Sequence, residues 1–78
     1  MIYRIYNETR KGYEIECVTD NVDELFIVLD TLILEENASK VLVIEHNIEE
    51  DYDYPAYLYI GDIRGYIDYK DNFYYRHR

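Results

Sequence analysis

The sequence predicts a small α+β domain spanning residues 1–78, in ββαβββ order, with one helix packed on one face of a mostly antiparallel sheet. Three observations carry this. Short β-rich runs alternate with turn residues, a single stretch repeats its apolar residues at helical spacing, and 78 residues suffice for one domain with one thin core. At 49% hydrophobic residues the chain is apolar enough to fold despite a net charge of -9.

Ile2 to Asn7 and Tyr13 to Val18 read as a hairpin around the turn Glu8 to Gly12, with Tyr13, Ile15 and Cys17 on one face and Glu14 and Glu16 on the other. Asn21 followed by Glu24 resembles a capping box, with Asp20 as a competing cap. Behind it Val22, Leu25, Phe26, Leu29, Leu32 and Ile33 form the apolar stripe of a helix that ends near Asn37. The β-branched run from Lys40 to Ile44 fits a central strand covered on both faces. Ala56 to Ile60 and Ile63 to Tyr69 flank Gly61-Asp62 as a second hairpin, and Asn72 to His77 is a third strand of that meander or a tail.

Charge narrows the function. Seventeen acidic against eight basic residues exclude recognition of nucleic acid through its phosphates, which requires Lys and Arg. The basic residues gather at the chain ends, and Gly12 to Tyr75 carries only Lys40, Arg64 and Lys70, so the middle is an acidic field suited to a cationic protein surface. The lone Cys17 cannot close an intramolecular disulfide, which favours the reducing cytoplasm, and the longest apolar run, Leu25 to Leu34, is too short to span a bilayer.

Catalytic and metal chemistry find little footing. With one cysteine, two histidines (His46 and His77) and no glycine-rich loop, no nucleophile is paired with a base by any motif, and the expectation is a protein without enzymatic activity or cofactor. The acid run does not make a calcium loop. Counted from Asp51, Ala56 stands where glycine belongs and Asp62 where glutamate belongs.

Two features point instead to a contact surface. Asp23, Ile27, Asp30 and Leu34 fall at helical spacing opposite the core stripe, an alternation of acid and aliphatic residues. The second is the run Glu49-Glu50-Asp51-Tyr52-Asp53-Tyr54, continued by Tyr57 and Tyr59, within a total of 11 tyrosines. If extended, it sets Glu49, Asp51 and Asp53 on one side at a repeat of about 6.6 to 6.8 Å, near the phosphate spacing of a nucleic-acid strand. One helix covers one face of a sheet, so the second face is expected to be a tyrosine surface including Tyr57, Tyr59 and Tyr66.

In size, charge and tyrosine content the chain resembles the small acidic proteins with which phages and mobile elements block nucleic-acid-handling enzymes of their hosts, anti-CRISPR and anti-restriction proteins among them. That resemblance implies an inhibitor occupying a cationic groove by carboxylates and tyrosines, possible mimicry of nucleic acid, and no membrane partner. The alternative is a homodimeric structural or adaptor domain that buries its tyrosine face or helix stripe against a second copy.

Overall fold

A computed structural model describes residues 1–36, 38, 40–59 and 63–76, with the side chain of Tyr59 outside the description. Its elements run β1 (Ile2–Thr9), β2 (Gly12–Thr19), α1 (Val22–Asp30) continuing into a π-helical segment (Thr31–Glu35), β3 (Lys40–Asn47), β4 (Tyr52–Tyr59) and α2 (Ile63–Arg76). The four strands form one antiparallel sheet in the order β2-β1-β3-β4. The α+β class and the helix on an antiparallel sheet are as the sequence indicates.

The β1–β2 hairpin closes on Arg10 and Lys11, where the Thr9 hydroxyl accepts from the Lys11 N–H at 3.2 Å and Gly12 takes φ 112°, open only to glycine at low cost. Further along, the register slips between Ile5 and Tyr6, so that Ile5 faces Cys17 and Tyr6 faces Ile15, leaving Glu16 as an extra residue. This bulge corrects the expected face assignment. Cys17 packs against the core, whereas Ile15 and Tyr13 turn to the opposite side, because one inserted residue reverses every side chain beyond it.

Asn21 caps α1 as expected, its side-chain oxygen accepting from the Glu24 N–H at 3.0 Å. The Glu24 carboxylate does not reach back to complete the box. It accepts instead from the Cys17 thiol at 3.3 Å, and burial, followed by this bond, raises the thiol above its usual pKa. The core lies between α1 and the sheet, with Leu25, Leu29, Ile5, Val41 and Val43 fully buried. The π-helical segment keeps Leu32 and Ile33 buried as well, its wide turn marked by the Glu36 N–H bonding the Thr31 carbonyl at 2.9 Å.

The C-terminal third departs from expectation. Ile63 to Tyr69 is not a hairpin strand but the first half of α2, which also takes in Asn72 to Arg76; Gly61-Asp62 and His77 lie outside the described residues. The helix is decided by burial at Tyr66, Tyr69 and Phe73, a spacing of three and four that one helical face satisfies and a strand cannot. Phe73 meets Phe26 edge-on at 5.2 Å between ring centroids and Tyr3 at 5.6 Å, so α2 lies beside α1 on the same side of the sheet. Both helices therefore cover one face. The other face of the sheet has no helix among the described residues.

Candidate interaction surface

The strand register sorts the acid run into three places. Ile48 to Asp51 form the turn between β3 and β4, built by the Asn47 side chain accepting from the Glu50 N–H at 3.1 Å and closed by Asp51 at φ 51°. A non-glycine residue in this left-handed region is uncommon, and Asp is among those that tolerate it. Glu49, Glu50 and Asp51 are all exposed here. They are not in extended chain, so the phosphate-like row of Glu49, Asp51 and Asp53 does not exist.

Beyond the turn, alternation along β4 divides the rest. Tyr54 pairs with Glu45 and Tyr52 with Asn47, on the side of the sheet that carries the helices. Their rings meet at 4.9 Å between centroids, and the Tyr54 hydroxyl donates to Glu50 Oε2 at 2.5 Å, a bond that raises the Tyr54 pKa. Tyr52 remains 58% exposed and Tyr54 40%, so the two rings and the turn carboxylates make one acidic and aromatic tip. Tyr57 lies on the opposite, open face, and Tyr59, the last residue of β4, has its side chain outside the described residues.

Asp53 also points to the open face, where it is already occupied. Arg4 Nη2 lies 3.2 Å from its carboxylate and His46 Nδ1 2.7 Å, and the bond from His46, aided by the charge of Arg4, holds the Asp53 pKa below the ordinary carboxylate range. A concavity of about 190 Å³ opens beside this pair, lined by Ile2, Arg4 and His46. Sequence reading missed the partnership because 49 residues separate Arg4 from Asp53. Only the pairing of β1 and β4 to opposite edges of β3 brings them together.

The helix stripe is corrected in part. Ile27 and Leu34 are exposed at 65% and 51%, and Asp23 is exposed near the start of α1. Asp30 is not free for a partner: it accepts from the Tyr66 hydroxyl of α2 and lies 3.8 Å from Lys70 Nζ. Tyr66 itself is buried, and burial followed by the bond to Asp30 pushes its pKa far upward. It therefore belongs to the core rather than to a tyrosine surface.

The open face is mainly aliphatic, with Tyr6 in its interior and Tyr13 and Tyr57 on the edge strands. Val18 faces Arg4, which faces Ile44, which faces Pro55; the next row runs Ile15, Tyr6, Leu42, Tyr57. Lys40 lies over the Tyr13 and Tyr57 rings at 5.8 and 4.9 Å from their centroids. Alternation within Lys40–Ile44 contained the signal for this face, since Leu42 and Ile44 oppose Val41 and Val43, but a uniformly apolar run reads as covered on both sides.

Among the described residues no group of three His, Cys, Asp or Glu side chains could hold a metal ion, and no helix is long and apolar enough to cross a membrane. Searches of protein-family models, curated proteins and solved structures return no match to this chain.

Proposed function

We propose that the protein is a non-enzymatic inhibitor, working in the cytoplasm, that binds an arginine- and lysine-rich surface of a nucleic-acid-handling protein through its acidic and aromatic tip. The observation that carries the reading is the distribution of charge along the strands. Glu49, Glu50 and Asp51 project at one end beside the Tyr52 and Tyr54 rings, while Arg10, Lys11 and Lys40 lie at the other end. Three further cations are held in internal pairs, Arg4 with Asp53, Lys70 with Asp30 and Arg76 with Glu45. The tip thus offers carboxylates to guanidinium and ammonium groups, and flat rings on which a guanidinium stacks.

The mode of binding differs from a copy of a nucleic-acid backbone. With the turn replacing a regular row of carboxylates, recognition rests on a local cluster of charge and two rings, which suits a concave basic site better than a long groove. Capture from a nuclease-treated lysate of the cells in which the protein acts tests this. Wild-type bait should retain a basic nucleic-acid-binding protein that bait carrying Glu49→Gln, Glu50→Gln and Asp51→Asn loses. Retention of the same proteins by both baits would contradict the reading.

A further inference from the structure

We infer that two copies of this chain associate through the open faces of their sheets, stacked with strands antiparallel. The surface adjoins the acidic tip at His46, which lies 3.6 Å from Asp51, and is otherwise made by different residues. Val18 and Ile15 of β2 are 56% and 55% exposed and Tyr57 of β4 is 51% exposed, and between them Tyr6, Leu42 and Ile44 are half-buried only by neighbours in the sheet. An apolar patch that runs continuously across four strands is the kind of surface that proteins cover.

Charge identifies the occupant. Along its strands the open face carries Arg4 and Lys40 against Glu8 and Asp53, and His46 lies between Asp53 and the turn carboxylate of Asp51, so the face lacks the strong acidic excess of a chain whose net charge is -9. A strongly basic partner finds no excess of carboxylates there. A second copy meets a matching apolar face and leaves the acidic excess pointing away. The two ends of the strands fix the orientation: Arg10, Lys11 and Lys40 stand at one end and Glu49, Glu50 and Asp51 at the other. Stacking with strands antiparallel sets the cationic end of each copy near the acidic turn of its partner, whereas parallel stacking would bring like ends together.

The area is sufficient. Four strands about 4.8 Å apart and eight residues long at about 3.3 Å each present roughly 500 Å² of sheet, so two copies cover about 1,000 Å² in all, the lower bound for a specific interface. Aligned packing about 10 Å apart is the ordinary arrangement of two such faces. The edges are less suited to pairing between copies, since Pro55 lies in edge strand β4 and the bulge with Glu16 lies in edge strand β2.

Sedimentation of the intact chain at increasing concentration, at about 0.05 M and about 0.5 M salt, reads the association directly. A species of twice the 9.5 kDa chain mass should form at both salts, because the apolar rows of the two faces contribute contact that salt does not screen. Binding of a cationic ligand at the tip weakens steeply over the same range, so failure of one reading does not carry the other with it. Ile15→Glu places a charge on the β2 side of the buried face and should weaken association about tenfold or more, while Ile27→Glu, on the exposed side of α1, should leave it unchanged. Independently of either variant, backbone resonances of the wild-type chain followed on dilution should move at Val18, Tyr6, Leu42 and Ile44. A monomer at all concentrations up to about 1 mM, dilution shifts confined to α1 or the tip, or equal effects of the two substitutions would each overturn the inference.

Discussion

Glu45 is the one charged residue in the core among the described residues, 3% exposed on β3, and its Oε2 accepts from both terminal nitrogens of Arg76 at 3.3 Å. A carboxylate taken out of water is costly unless paired, so this contact anchors the last turn of α2 to the sheet. Arg76 is half exposed, which moderates the Coulomb attraction. Arg76→Ala should destabilise the chain by about 1 to 3 kcal/mol, by removing the guanidinium that bonds the buried carboxylate. Replacing Glu45 and Arg76 together by leucine should cost less than Arg76→Ala alone, which urea unfolding of the two variants decides. Asp53 presents the opposite situation, an exposed carboxylate whose pKa is lowered chiefly by the bond from His46. Because its folded value lies below the unfolded value of about 3.9, the stabilisation is complete above about pH 5 and lost as pH falls through the unfolded and then the folded value. Asp53→Asn should therefore lower the urea midpoint at neutral pH, and the difference from wild type should shrink to nothing in strong acid.

At the scale of elements, α1 shows what a helix contributes by its two sides. Leu29 is fully buried and Ile27 is 65% exposed, two residues apart in sequence and on opposite sides of the helix. Leu29→Ala should destabilise by about 2 to 5 kcal/mol, whereas Ile27→Ala should cost well under about 1 kcal/mol, as thermal or urea unfolding will report. This helix was legible because its cap at Asn21 and its apolar period agree. The hairpin β1–β2 was legible as an element, yet its faces were not, since the bulge at Glu16 arises from the pairing of two strands and leaves no mark in the alternation of either. Helix α2 was misread for another reason. Tyrosine and isoleucine favour strands, and in Ile63 to Tyr75 that propensity masked the spacing of Tyr66, Tyr69 and Phe73, which the aromatic cluster around Phe26 selects in the fold. Tertiary packing overrode local preference. The acid run was misread on the same principle, because a turn at Ile48 to Asp51 follows from the pairing of β3 with β4 rather than from the run of carboxylates itself.

For the whole molecule, the sheet divides the work between two sides and two ends. The helices fill one side, the apolar rows of the other side remain open, and the strand ends separate a cationic turn from an acidic one. The proposed function requires the tip formed by Glu49, Glu50, Asp51, Tyr52 and Tyr54 to bind cationic side chains rather than to be a solvated turn. Exposed charge alone attracts any cation diffusely, so the distinguishing property is localisation. Titration of the isotopically labelled chain with an oligoarginine peptide, followed residue by residue by NMR, measures it. Saturable shifts centred on Glu49 to Tyr54 are expected, abolished by the triple substitution Glu49→Gln, Glu50→Gln, Asp51→Asn and weakened by salt. Shifts spread evenly over Asp23, Glu36, Asp68 and the tip, and unaltered by that substitution, would contradict it.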